Sequence, residues 1–400
     1  SLVFAQQFFP SSNSTVSQLQ SYLAFALSFF VRPFGGAAFA HFGDRHGRKK
    51  TLIATLVLMG SGTALIGLLP NYQSIGIAAP ICLLLLRLVQ GLGVGGEWGG
   101  AILLTYENAP DHKRSFFASV PQMGVALGVC LSALAMTLVS KLPRADFESW
   151  GWRLPFVFSI VLVAVGLWMR HSIDETPEFV AAVEAQRRVR SPLGRTLRVH
   201  WREVLMACSA KAVDTGPFYL CTVFVISYTT KVLGLPSSAS LYALMICAAL
   251  AALVMPLGGL LADRYGRHRI FLIGCVGTML AAAPYFWILE ARTATAVTLA
   301  TALVLVCVWP LATSLLGVVT ADLFATEVRY TGITLGYQIG AALVGGTAPL
   351  IATWLMTEFK PETWPISVYM IILALITLVS VYFAVETRSK EPAQYVPKTV

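Results

Sequence analysis

The chain has 400 residues, of which 56% are hydrophobic and only 12% are charged. Soluble domains carry about a quarter of their residues as charge, so this composition excludes a water-soluble globule and makes the bilayer the solvent. The formal net charge of +9 raises nucleic acid or anionic lipid as partners, and the location of that charge decides between them.

A helical crossing needs about 20 mainly apolar residues. Residues 1–9 read as the last turns of a first, truncated helix before Pro10. Full spans follow at 17–41, 51–69, 80–106, 115–139, 152–170, 203–229, 238–261, 270–289, 294–322, 331–357 and 365–386. Assigned to the loops between them, twenty of the 29 Lys and Arg lie on the side of Asp44 and six on the other. That asymmetry is the positive-inside bias. It orients the Asp44 side and both termini toward the cytoplasm, and nucleic acid is not an expected partner. Arg32, Arg87 and Lys211 remain inside spans.

Charges within spans cost about 2.5–3.5 kcal/mol each on insertion scales and face the bundle interior, which makes them the first site candidates. Arg32 precedes Pro33, whose missing N–H frees a carbonyl one turn earlier; the guanidinium can satisfy that carbonyl or bind a carboxylate. Along 80–106, Gln90 and Glu97 fall about 60° and 80° around the helix from Arg87. Arg87 and Gln90 can hold substrate while Glu97 takes a proton, or the three can form a structural network. Gly91, Gly93, Gly95, Gly96, Gly99 and Gly100 leave the rest of that helix nearly bare for close packing. Gln122 is an uncharged candidate for substrate hydroxyls or for interhelical bonding, as is Gln338 further on. Gly124 and Gly128, like Gly332, Gly336 and Gly340, read as packing stripes.

Residues 171–202 form the one long polar stretch inside the chain and divide it into 1–170, a linker, and 203–400. Segment 178–190 suits either a surface helix near anionic headgroups or a solvated linker. In 203–229, Lys211 and Asp214 are three apart and can pair on one helix face, with Tyr219 nearby. Protonating Asp214 would release Lys211 toward an anion; a purely structural pair is the alternative. The five intramembrane charges sum to one positive, which suits an anion or a zwitterion.

The two halves carry an internal repeat. Residues 43–50 (GDRHGRKK) recur as 262–269 (ADRYGRHR), and Glu107 with Arg114 is echoed by Asp322 with Arg329. Paired halves of this kind set a midplane site between them. The expected fold class is an all-α membrane protein with twelve transmembrane helices in two six-helix pseudo-symmetric halves. The seven Cys and six His lack metal-ligand or catalytic spacing, so neither a metal site nor an enzyme is expected.

The loop G-x-x-x-D-R-x-G-R-x-R at 259–269 resembles the signature loop of the major facilitator superfamily; the first copy has Ala40 in place of the leading Gly. FFVRPFGGAAFAHFGDRHGRKK (29–50), RLVQGLGVGGEWGGA (87–101), WGWRLPFVFSIVL (150–162), DETPEF (174–179) and VRYTG (328–332) resemble its metabolite:proton symporter branch, whose members carry shikimate, α-ketoglutarate, citrate, and proline or betaine. The resemblance implies a monomeric inner-membrane carrier of a small organic acid or zwitterion, with the proton as coupling ion and no other cofactor. It also implies an Asp followed by aromatics in helix one, beyond what this chain contains. An exchanger or exporter on the same fold, or a substrate sensor without transport, are the rival readings. By the same resemblance, Asp44, Arg45, Arg48, Asp263, Arg264 and Arg267, with Glu107, Arg114, Asp322 and Arg329, form cytoplasmic gate latches that need not touch substrate.

Overall fold

The computed structural model of the chain describes residues 2–11, 13–46, 48–171, 192–324 and 328–390, without the side chains of 2, 14, 15, 43–46, 48, 111, 171, 192 and 384–390. The side chains of Asp44, Arg45 and Arg48, and the segment 178–190, therefore lie outside the described residues. The first six helices are α1 (Leu2–Phe8), α2 (Ser14–His46), α3 (Arg48–Leu68), α4 (Ala78–Glu107), α5 (Arg114–Val139) and α6 (Leu154–His171). The second six begin with α7, which runs Trp201–Tyr219, a π turn at Leu220–Phe224, then Val225–Lys231. They continue with α8 (Ser237–Tyr265), α9 (Arg267–Leu289), α10 (Ala294–Ala321), α11 (Arg329–Gly340, then Ala348–Glu358) and α12 (Trp364–Lys390).

Ten of the described helices are long and apolar enough to cross a membrane. Of the twelve helices named above, α1, with seven residues, and α7 fall short. The sequence reading counts 203–229 as a full span; α7 has the length, but Lys211, Asp214 and its Thr and Tyr residues dilute its hydropathy. The polar divider also differs in detail, because its described part forms a short helix at Pro192–Val199.

The glycines of α4 let two backbones touch it at once. A Cβ built on Gly95 would lie 2.7 Å from the amide nitrogen of Gly36 in α2, and one on Gly93 would lie 2.9 Å from the Met59 amide nitrogen in α3. In a bilayer, where apolar side chains gain little by leaving lipid, such contact is what holds helices together. α1 is anchored by Phe4 and Phe8, whose rings meet the buried Trp152 edge-on at 5.8 and 5.9 Å.

Gly336 and Gly340 of α11 face α7, where added Cβ atoms would approach Ala207, Cys208 and Lys211. That stripe packs helices within the second half. Gly124 and Gly128 of α5 do not belong to a stripe: added Cβ atoms there meet nothing within 4 Å among the described residues. Between α8 and α9 the chain turns at Gly266 with φ of 98°, a conformation that favours glycine. The halves meet along α5 against α8 and along α2 against α11. Gly259, the leading glycine of the signature loop, lets α8 approach α5 closely, since a Cβ there would sit 2.8 Å from Phe116 Cα.

Prolines and π turns interrupt the regular α geometry of the second half near its centre. Besides Leu220–Phe224, which follows Pro217, π turns occur at Leu303–Val308 just before Trp309-Pro310 and at Ala341–Gly345 in α11. A proline withholds the N–H that would close the preceding turn, and π turns concentrate at functional sites. All three lie beside the cavity described next.

Candidate functional site

A cavity of ≈ 60 Å³ lies between the halves, lined by Phe29 and Arg32 from α2, Gln122 and Val125 from α5, Lys211, Asp214, Thr215, Phe218 and Tyr219 from α7, Trp309 and Thr313 from α10, and Tyr337 and Ala341 from α11. Proline and π turns explain why α7, α10 and α11 can all turn polar groups toward one point. The sequence candidates Arg32, Lys211, Asp214, Tyr219 and Gln122 are brought together here.

Asp214 is the hub. Lys211 donates to its Oδ2, Thr313 Oγ1 donates to Oδ1 at 2.5 Å, and Thr215 Oγ1 lies 3.3 Å from Oδ2. The Trp309 indole donates to the Asp214 backbone carbonyl at 2.9 Å. Both charged side chains are deeply buried, at 6% and 7% exposure. The Lys211 ammonium also sits 3.6 Å from the centroid of the Tyr337 ring, a cation–π contact strengthened by exclusion of water.

Arg32 faces the same space from the other half. Its guanidinium lies 3.6 Å over the Phe29 ring, and its Nε is buried with no hydrogen-bond partner. No hydrogen bond from Arg32 to the carbonyl freed by Pro33 is found among the described residues. The geometry thus leaves this cation directed at the cavity, whose three charged lining residues carry a surplus of one positive charge. Phe29 and Tyr219 pack edge to face at 5.3 Å, and Phe218 stacks on Trp309 at 5.1 Å, which makes much of the remaining wall aromatic.

Four other candidates, Arg87, Gln90, Glu97 and Gln338, lie off the cavity wall. Arg87 Nη1 donates to Gln90 Oε1 at 2.8 Å, Gln90 Nε2 donates to Thr63 Oγ1 at 2.7 Å, and Arg87 lies 5.3 Å over the Phe4 ring. Glu97 pairs with Arg170 of α6 at 2.5 Å, while Arg170 also donates to the Leu52 carbonyl. Gln338 donates to the Gly95 carbonyl at 2.9 Å and so joins α11 to α4. Helical spacing correctly groups Arg87 with Gln90, but it cannot show that Arg170 reaches Glu97 from another helix.

Contacts between the halves flank the cavity at both ends. At the end bearing the 262–269 loop, hereafter the basic end, Trp98 of α4 stacks on Tyr337 with centroids 3.5 Å apart and planes 20° apart. Its indole donates to Gln122 Oε1 at 3.1 Å, and Gln122 Nε2 donates to the Thr313 carbonyl at 2.9 Å. Beyond this layer, the Tyr330 hydroxyl donates to the Gly96 carbonyl at 3.2 Å. At the opposite end, Gln18 Nε2 donates to Ser227 Oγ at 2.6 Å and to Tyr22 Oη at 3.1 Å, and Tyr22 Oη and Ser227 Oγ share a hydrogen bond at 2.9 Å. None of Trp98, Tyr337, Trp309, Thr313, Gln18, Tyr22 or Ser227 stands out in the sequence, because each is an ordinary helix residue until its neighbours are known.

The loop residues form a second polar layer at the basic end. Asp263 accepts from the backbone N–H groups of Ser115 and Phe116, both at 3.0 Å, and so caps the start of α5 from the other half. An anion at a helix N-terminus is favoured by the unpaired N–H groups and the dipole. Asp322 pairs with Arg267 at 2.8 Å and accepts from the Tyr106 hydroxyl at 3.1 Å. Arg114 and Arg329 lie 5.0 and 5.5 Å over the Tyr106 ring, and Arg329 also donates to the Ala321 carbonyl at 3.2 Å. Arg264 lies 5.3 Å over the Tyr265 ring, and Glu107 ends α4.

Comparison with known proteins agrees with this architecture. The family model described as Major Facilitator Superfamily matches residues 3–344. The inner membrane metabolite transport protein YhjE of Escherichia coli (strain K12) is 40% identical over 392 residues, covering 97% of this chain and 89% of that protein. The shikimate transporter of the same organism is 36% identical over 379 residues, covering 94% and 86%. Among solved structures, a D-xylose-proton symporter superimposes with a TM-score of 0.69 over 96% of this chain and 91% of that one, at 16% identity, and so shares the fold. A polar cavity between two sets of membrane helices, a family match along most of the sequence and transporters as relatives covered over most of their length lead to one conclusion: the chain belongs to the major facilitator superfamily and is one of its metabolite transporters.

Proposed function

We propose that the protein takes up a small organic acid or zwitterion together with protons by alternating access, with the basic end facing the cytoplasm and Asp214 carrying the coupling proton. The observation that carries this reading is the buried Lys211–Asp214 pair in a cavity whose other cation, Arg32, has an unpartnered nitrogen. With Asp214 ionised, Lys211 is occupied. Once Asp214 is protonated, Lys211 is free, and with Arg32 it can clasp a carboxylate from both halves. The relative named for shikimate transport, an acid, supports the same substrate class. Glu97, held by Arg170 outside the cavity, serves the packing of α4 and α6 in this scheme.

Proteoliposome uptake under an imposed pH gradient tests the reading, with a panel of organic acids and betaines as cargo. Accumulation should follow the gradient, be abolished by Asp214→Asn with exchange retained, and survive Glu97→Gln. Accumulation indifferent to the gradient would sink proton symport and favour an exchanger.

A further inference from the structure

The floor of the cavity at the basic end is a sandwich. Trp98 covers one face of the Tyr337 ring at 3.5 Å, and the Lys211 ammonium lies 3.6 Å from the same ring centroid. A stacked indole leaves no room for an ammonium on the face it covers, so Lys211 occupies the other. The ring is therefore held between a side chain of the first half and a charged group of the substrate cavity. We propose that the Trp98–Tyr337 stack is the innermost gate of the basic-end pathway, and that Lys211 is the group through which cavity occupancy reaches it.

The geometry gives the coupling a definite direction. Lys211 is shared between Asp214 and the Tyr337 face, so any ligand that draws the ammonium away removes one side of the sandwich. Tyr337 then keeps only the stack with Trp98. The indole is tied back through Gln122 to the Thr313 carbonyl, and Thr313 Oγ1 itself bonds Asp214. The links form a closed loop of Trp98, Gln122, Thr313, Asp214, Lys211 and Tyr337, so a change at the carboxylate reaches the stack from both directions. The neighbouring contacts of Gln338 and Tyr330 with α4 go to backbone carbonyls and not to the Trp98 or Tyr337 rings. The inference rests on alternating access at this cavity, and on neither the identity of the cargo nor that of the coupling ion.

Thiol labelling tests it without a substrate. In a full-length chain whose seven native cysteines are replaced, Ala341→Cys places a reporter on the cavity wall, and Arg269→Cys in a parallel chain identifies the vesicle face that carries the basic loops. A charged, membrane-impermeant methanethiosulfonate is applied from each face. Trp98→Ala should raise labelling of the reporter from the basic face by about tenfold, the scale of losing one aromatic stack, without raising it from the other face. Tyr337→Phe, which keeps the ring, should stay near the parent, and Lys211→Met should give an intermediate rise. If Trp98→Ala does not yield folded protein, Tyr337→Leu removes the same stack from the other helix and carries the same expectation. Basic-face rates within twofold of the parent in the stack-removing variants, or a rise from the opposite face instead, would overturn the gate assignment. An unchanged rate in Lys211→Met would overturn its coupling to the cavity.

Discussion

Replacing Asp214 by Leu and Lys211 by Met, singly and together, asks whether the buried pair acts as one unit. Both side chains are more than nine-tenths buried, and breaking such a pair by removing one partner costs about 3–5 kcal/mol because a charge is stranded. The two single variants should differ. In Asp214→Leu the stranded ammonium keeps only the face of Tyr337, a contact of roughly 0.5–2 kcal/mol. In Lys211→Met the carboxylate keeps the Thr313 and Thr215 hydroxyls, and hydrogen bonds to charged groups contribute about 1.5–3 kcal/mol each. Lys211→Met should therefore sit at the low end of the range and Asp214→Leu at the high end. The double variant, with apolar groups of similar size in both places, should lie within about 1 kcal/mol of the parent, since such replacements are often neutral. Denaturant titration in mixed micelles, followed by helical circular dichroism, measures all four proteins. A double variant as damaged as the sum of the singles would show that the two groups are not coupled and would undo the site argument.

Three further outcomes are expected. Asp263→Asn removes the charge that caps α5 across the interface and should cost about 1 kcal/mol, seen as a lower thermal midpoint in detergent; an unchanged midpoint would mean that the cap holds nothing. Gly95→Val pushes α2 off α4 and should abolish recovery of folded protein by size-exclusion chromatography, whereas Gly128→Ala, with open space around it, should be neutral or stabilising by up to about 1 kcal/mol. Ser227→Ala deletes the shared partner of Gln18 and Tyr22 and should raise labelling of the Ala341→Cys reporter from the face opposite the basic loops by about fivefold, the weight of roughly one hydrogen bond.

Legibility of the molecule from its sequence divides along a physical line. Span positions, the repeat around Asp44 and Asp263, and the Lys211–Asp214 pair are local in the chain, and hydropathy or helical spacing exposes them. The partner of Glu97 is 73 positions away and that of Gln18 is 209. Nothing in the spacing of α4 distinguishes a glutamate that faces a cavity from one that faces α6. Trp98 and Tyr337 are hidden for the same reason, since an aromatic in an apolar helix carries no mark of which ring it will meet. Asp263 is an intermediate case: its charge and loop position indicate a latch, but the donors its carboxylate accepts from are the first backbone amides of α5 and not a neighbouring arginine.

The π turns of α7, α10 and α11 have a mechanical consequence. Each holds one residue more than the α turn it replaces. If that surplus moves along the helix by one position, the residue it passes rotates by about 100° with no break in the backbone ladder. Tyr219 precedes one such turn directly, Trp309 follows another and Ala341 begins the third. The second set of helices can thus re-aim individual side chains at bound cargo. The first set shows no such turn among the described residues, and its interlocked glycine contacts favour movement as one block. Fine re-aiming of side chains and large-scale rocking would then fall to opposite sides of the same cavity, with Arg32 carried on the rocking block.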